Sequence, residues 1–508
     1  MSKRSRFRTR SQKTSEYTVE ITTNLDENLQ SVKKMLGDPD DLVIREIPVG
    51  KTQIKCAVVF ISGLVDQDLV ENNIIKPIQY NRKTFEMGLL ESVNQEVIPL
   101  SDVQQVKALD DVSYGILQGN TAVYIDDFDQ VLVIGTAGGK SRQIEEPPSE
   151  RLVRGPRAGF VEQIQTNMSL LRQDLKDPNL RFETHEVGRR TKQKLVVTYM
   201  EGIVNPDLIK EINHRLKTID TDKSLDSGQV EQWIEDSFLS PFPQLMDTER
   251  PDRVSSALMQ GKFAILVDGT PFVLIAPVTL VDSLQSLEDY NQRWLTSSLF
   301  RILRFISAFI AMFLPALYIA LVSYHPDLLP TQLVISIAAS REGVPFPAVI
   351  EAVAMAITFE ILHEAGIRLP KLIGSTIGIV GGLVIGESAV SAGIVSPIMV
   401  IITALTAIAS FTTPQYSVAI AFRAMRFGFM IAAAIFGLYG IILIYIMVNI
   451  HLVNLKSIGI PYSTPFAPSF IKDWKDLVFR APLLMLTGRP KYLMTQDKKS
   501  SNKGRSRT

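Results

Sequence analysis

The chain has 508 residues, 46% of them hydrophobic, with 53 Lys plus Arg balanced by 53 Asp plus Glu. That length is too great for one compact core, so several units are expected. A single cysteine, Cys56, excludes an intramolecular disulfide framework and an all-Cys metal site.

The zero net charge conceals a segregation, because apolar residues concentrate after Arg301 while most charges precede it. The N-terminus, MSKRSRFRTRSQK, has the basic start of a signal peptide with no apolar stretch behind it, so residues 1–39 are expected to be a basic, disordered tail. Contact with anionic lipid or nucleic acid is the functional alternative to simple solvation.

Two similar blocks follow. KCAVVFISGLVDQDLV (Lys55 to Val70) resembles KLVVTYMEGIVNPDLI (Lys194 to Ile209), which aligns Gly63 with Gly202 and Asp68 with Asp207, both pairs about 139 residues apart. Further on, DDVSYGILQGNTAVYIDD (Asp110 to Asp127) resembles PDRVSSALMQGKFAILVDG (Pro251 to Gly269). The apolar runs Ala57–Ile61 and Leu195–Tyr199 read as buried strands, and the Gly then Asp after each as a turn and a helix cap. Val123–Ile125 with Val131–Ile134, and Phe263–Val267 with Pro271–Ile275, read as hairpins closing each unit. These features predict two similar α/β subdomains, 40–145 and 146–290.

The second unit opens with a linker helix in which Phe160, Ile164, Met168 and Leu171 recur at helical spacing. Arg151, Arg154 and Arg157 crowd before it around Gly155-Pro156. Either they hold an anion at a helix start or they pair with acidic groups such as Glu162 or Glu249 across an interface.

Residues 291–455 are expected to form a transmembrane bundle. Phe305–Tyr324 and Phe427–Ile450 are uncharged runs long enough to cross the hydrocarbon layer, and Leu372 to Phe422, where Glu387 alone is charged among the apolar residues, is long enough for two more crossings or for one crossing plus a re-entrant loop. Leu329–Ala365 is apolar but interrupted by Arg341, Glu342, Pro345, Pro347, Glu351, Glu360 and Glu364, which suits broken or re-entrant half-helices shielded by protein. Arg293, Arg301 and Arg304 before the first span place the soluble region on the cytoplasmic side. Arg368, Lys371, Arg423, Arg426 and the basic end of the chain conflict for an odd number of crossings, so four to six are expected with the parity open. Residues 456–508 are expected to be a C-terminal tail.

Ionisable groups at membrane depth are candidates for function. Glu351, Glu360, Glu364, Glu387 and Arg341 are therefore candidates for an ion path or its gating, with pairing to Arg341, Arg368 or a neighbouring subunit as the structural alternative. Gly374, Gly378, Gly382 and Gly386 fall every fourth residue and point to close helix packing, or to a narrow pore wall. Ile134–Ser141 (IGTAGGKS) lacks the first glycine of a phosphate loop. No metal site, catalytic triad or cofactor motif is present in the sequence, and an enzyme is not expected.

The sequence also resembles the A subunit of GerA-type spore germinant receptors. The residues that carry the likeness are VRGPRAGFVE (Val153–Glu162), SPFPQ (Ser240–Gln244), TERPD (Thr248–Asp252), LVDGTPFVL (Leu266–Leu274), ALYIALVSYHPDLLP (Ala316–Pro330), REGVPFP (Arg341–Pro347), EAGIRLP (Glu364–Pro370), IGIVGGLVIG (Ile377–Gly386) and SFTTPQY (Ser410–Tyr416). The resemblance implies a multi-pass protein of the spore inner membrane that responds to nutrients. It also implies work with a transporter-like B subunit and a lipoprotein C subunit, and assembly as a homo-oligomer in contact with membrane lipid, without nucleic acid. The expected mechanism is a ligand-gated cation channel; a non-conducting scaffold and a secondary transporter are the alternatives.

Overall fold

The computed structural model describes residues 20–50, 54–80, 100, 102–138, 146–147, 149–370, 381–382 and 384–501. Helix α1 (Leu25–Leu36) forms because Leu25, Leu29, Val32 and Leu36 make one apolar stripe, with Asn24 capping its start and Gly37 ending it at φ +75°. Strands β1 (Leu42–Pro48) and β2 (Lys55–Ile61) follow, then α2 (Gln67–Val70), which runs through a wider turn into α3 (Lys76–Tyr80). Strand β3 (Val103–Val106), helix α4 (Leu109–Leu117) and the hairpin β4 (Thr121–Ile125) and β5 (Val131–Ile134) complete the first unit. The antiparallel sheet has the order β1-β2-β4-β5-β3.

Beyond Lys55, strand β2 is apolar because both its faces are covered. Cys56, Val58 and Phe60 pack with Ile74, Ile75 and Ile78 on one side, while Ala57, Val59 and Ile61 pack with Leu29, Val32, Val112 and Ile116 on the other. Burial pushes the Cys56 thiol up to about 12.

The second unit repeats the first. Helix α5 (Ile164–Asp174) precedes β6 (Leu180–Val187), β7 (Gln193–Met200), α6 (Pro206–Lys217) and α7 (Ser227–Ile234). Strand β8 (Met246–Thr248), α8 (Pro251–Gln260), β9 (Phe263–Val267) and β10 (Val273–Ala276) close it, in the sheet order β6-β7-β9-β10-β8. Strand for strand, this order is that of the first sheet.

The match extends to side chains. Asn28 clamps both backbone groups of Thr22, at 2.9 and 2.6 Å, and Asn167 does the same to Val161 at 2.8 and 2.6 Å. Asp126 accepts from the Leu25 N–H at 3.1 Å, and Asp268 from the Ile164 N–H at 3.3 Å. Helix α1 is thus the counterpart of the linker helix α5. The expected tail over 1–39 is corrected for this stretch: its apolar stripe packs on the sheet, so ordered structure begins well before residue 40. The helix caps differ from expectation too. Asp66 and Asn205 cap α2 and α6, while Asp68 and Asp207 sit inside the first turns.

A buried ion pair joins the units. Arg172 on α5 donates to both carboxylate oxygens of Asp41, at 3.0 Å each, and its guanidinium lies over the Phe182 ring.

Short helices α9 (Leu280–Leu284) and α10 (Glu288–Asn291) lead into α11 (Trp294–Ser323). The bundle continues with α12 (Thr331–Arg341), α13 (Ala348–Arg368), a helical stretch at 384–391, α14 (Pro397–Ser410), α15 (Tyr416–Phe436) and α16 (Leu438–Asn454). Among the described residues, α11 and α15 are long and apolar enough to cross a membrane, whereas α14 and α16 are apolar but shorter. The uncharged run Phe427–Ile450 is not one helix as expected. Gly437, at φ +58° and ψ −137°, divides it between α15 and α16, a conformation that hydropathy alone does not register.

Residues 456–501 are not a free tail. Strands β11 (Lys456–Ser457) and β12 (Ile460–Pro461) form a small hairpin, and Ile458, Ile460, Tyr492 and Leu493 enter the core of the second subdomain. Apolar side chains spaced irregularly through proline-rich sequence give no periodic signal, which is why the docking was not legible.

Candidate functional site: the ion-paired bundle and its junction with the soluble domain

Glu351 stands in the first turn of α13 and is buried. Its Oε1 lies 3.1 Å from Arg341 Nη2 at the end of α12, and its Oε2 accepts from the Ser396 N–H at 2.8 Å. Ser396 caps α14, so the carboxylate sits at the positive end of that helix. The break between α12 and α13 is the segment REGVPFP, and Arg341 also donates to the Phe346 carbonyl at 3.3 Å. Tyr318 of α11 brings its buried hydroxyl beside Ser396.

A second cluster ties α13 to α15. Glu360 faces Arg423 at 3.1 Å and Arg426 at 3.5 Å, and Arg423 meets His363 Nδ1 at 2.9 Å. His363 stacks against Phe411 with ring centroids 5.0 Å apart. Arg423 and Arg426 are therefore helix residues in ion pairs and not the loop charges that made the crossing count inconsistent. Glu364 pairs with Arg368 at 2.6 Å along one exposed helix face, a surface geometry worth little.

Glu387 is exposed on the 384–391 helix. Gly374 and Gly378 lie outside the described residues. A Cβ on Gly386 would meet Val400 of α14 at ordinary contact distance, 3.6 Å, while one on Gly382 would meet open space; beside them, a Cβ on Gly381 would press on Leu362 at 2.9 Å.

The junction between subdomain 2 and the bundle is carried by residues to which the sequence assigned no structural role, some of them within the motifs SPFPQ and SFTTPQY. The loop Ser240–Gln244 inserts Phe242 into the bundle core against Phe422, His451 and Tyr462. Ser240 Oγ lies 2.9 Å from His451 Nε2 near the end of α16. Beside it, Asp247 of β8 accepts from Ser417 at 3.1 Å and from Gln415 at 3.3 Å at the start of α15. An aromatic between two prolines was the available signal. Facing this seam, burial together with the nearby charges of Asp247 and Glu235 raises the Glu231 carboxyl to about 8, and burial raises Glu235 to about 7.

The start of α11 is fastened as firmly. Asp289 accepts from Arg301 at 2.9 Å and from Arg304 at 2.8 and 2.7 Å, and Arg301 also reaches Asp476 at 2.7 Å. Burial opposes the charge on Asp289, but Arg304 and Arg301 outweigh it and hold the carboxyl below its ordinary value. Arg480 donates to the Gln292 carbonyl at 3.0 Å and to that of Asp289.

Arg151, Arg154 and Arg157 are exposed on a loop whose backbone is gripped from beneath. Arg250 donates to the carbonyls of Glu150 and Pro156, at 3.1 and 2.6 Å, and Asn291 donates to that of Arg154 at 2.9 Å. Glu249 accepts from Ser149 at 2.5 Å, and none of the three arginines is ion-paired to it among the described residues.

A duplicated α/β region bolted to a helical bundle that holds internal ion pairs defines the class of architecture. The family described as Bacillus/Clostridium GerA spore germination protein matches residues 30–492, and the chain belongs to it. Spore germination protein GerLA of Bacillus cereus is 48% identical, covering 94% of this chain and 97% of that one. Uncharacterized membrane protein YfkQ of Bacillus subtilis (strain 168) is 42% identical, covering 92% and 91%. The crystal structure of the N-terminal domain of the A subunit of the Bacillus megaterium spore germinant receptor GerK3 aligns at 32% identity and a TM-score of 0.43, covering 52% of this chain and 99% of that one.

Proposed function

We propose that this chain is the A-type membrane subunit of a nutrient germinant receptor, multi-pass in the spore inner membrane with its soluble region on the cytoplasmic side. In this reading it works with a transporter-like B subunit and a lipoprotein C subunit. Several copies assemble so that the carboxylate-bearing break between α12 and α13 surrounds a cation path. The observation that carries the proposal is the enclosed Glu351–Arg341 pair at that break, since a charge is retained inside an apolar bundle at considerable cost. Nutrient bound at a partner would favour the open state only by binding it more tightly than the closed one. Exposed Glu387 is free to face a path between copies, where carboxylates select cations.

The scaffold reading has its own support: Glu351, Glu360 and Glu364 each already have a cationic partner within one chain. Purified receptor in liposomes separates the readings. Nutrient-gated monovalent-cation conductance, altered by Glu387→Gln, is the expected result. Silence with nutrient bound would leave the scaffold, and saturable nutrient uptake would point to a transporter.

A further inference from the structure

The chain contains three tryptophans, Trp233, Trp294 and Trp474, and all of them lie at the soluble-domain end of the bundle. Trp294 begins α11. Trp474 lies two residues before Asp476, which is bonded to Arg301 on the second turn of that helix. Trp233 is in the last turn of α7, whose following loop reaches His451 near the end of α16 through Ser240. Each ring is about half exposed, at 45%, 49% and 47% respectively. On the same loop Phe238 and Leu239 are 80% and 81% exposed, although Phe242, three residues on, is fully buried in the bundle. Water gives such side chains no compensation, and an apolar surface does.

Charge accompanies them. The exposed arginines Arg151, Arg154 and Arg157 stand on the loop held by Asn291, three residues before Trp294, and Lys472 and Lys475 flank Trp474. Half-exposed tryptophans, apolar loop tips and exposed cations in one zone at the ends of apolar helices are the composition of a membrane–water interface.

We propose that this rim of the soluble domain is seated in the headgroup layer of an anionic bilayer: Phe238, Leu239 and the tryptophans enter the apolar boundary, and the arginine loop meets lipid phosphates. The α/β region is then a membrane-bound collar around the bundle and not a body held off the surface on a linker. The inference rests on the reading that α11 crosses the bilayer.

The test uses full-length protein in nanodiscs of phosphatidylcholine and phosphatidylglycerol, with bromine placed at different depths of the acyl chains. Three variants each retain one tryptophan, the other two being replaced by Phe. Emission from each is expected to fall about twofold, most strongly with the shallowest bromine. If Trp294 is quenched while Trp233 and Trp474 are not, and acrylamide quenches those two, the rim stands in water and the proposal falls while the span survives. If neither agent reaches Trp233 and Trp474, protein covers the rim, and the proposal falls equally. If Trp294 also escapes, the membrane reading itself is lost. Should a variant fail to fold, the wild type still decides, because quenching confined to Trp294 leaves most of its emission intact.

Discussion

Arg341 and Glu351 meet at 3.1 Å across the break between two helices, with the carboxylate sealed inside the bundle and shared with the backbone of Ser396. Removing one partner strands the other in an apolar setting. Arg341→Gln is expected to cost about 3–5 kcal/mol, and the double variant with Glu351→Gln to cost less than the single one. Thermal unfolding of the detergent-solubilised protein reads both; a double variant as unstable as the single would mean that the charges do not answer one another.

The Asp41–Arg172 pair makes a parallel case in the soluble region, with both side chains buried between the subdomains. Asp41→Asn is expected to destabilise by about 3–5 kcal/mol and to expose the β1–α5 seam to protease. Cleavage at an unchanged rate would show that the two units are held together by other contacts.

Phe242 is the expected weak point of the junction. Phe242→Ala should cost about 3–5 kcal/mol through the cavity it leaves, with Phe242→Leu costing clearly less. Hydrogen exchange should rise along α15 near Phe422 and around Tyr462, which the ring touches, and remain unchanged in the first subdomain.

Glu231 predicts a pH dependence. Its carboxyl, ordinarily near 4.5, is held at about 8 by burial and by the neighbouring Asp247 and Glu235, so the folded state binds the proton more tightly than the unfolded chain does. The associated stability is fully present below 4.5 and is lost as pH rises through about 8. Glu231→Gln should therefore flatten the decline over that window and make the variant more stable than wild type at its upper end. Denaturant titrations at several pH values check this, and parallel curves for the two proteins would contradict it.

The duplicated soluble region was readable because Gly63 and Gly202 mark the same turn in two copies. The buried strands were readable because both faces of β2 and β7 are covered, leaving unbroken apolar runs. Helix α1 was missed although its stripe is regular, since the basic residues ahead of it dominated the reading of the first 39. The carboxylates of the bundle were visible as charges in apolar sequence, but their partners were not: Glu360 and Arg423 are far apart in the chain and meet only through the packing of α13 on α15. Asp247, Ser417 and His451 carry no local signal, because an ordinary polar residue becomes a connector only when two distant surfaces close on it.

Both ends of the bundle return to the same body. Helix α11 is pinned at its start by Asp289 and Asp476, and α16 at its finish by Ser240 and the docked segment beyond it. A rotation of subdomain 2 must therefore pull on the first and last helices together, as a handle fixed at two points turns a lid, so a twist applied in the aqueous phase reaches the bundle as torque.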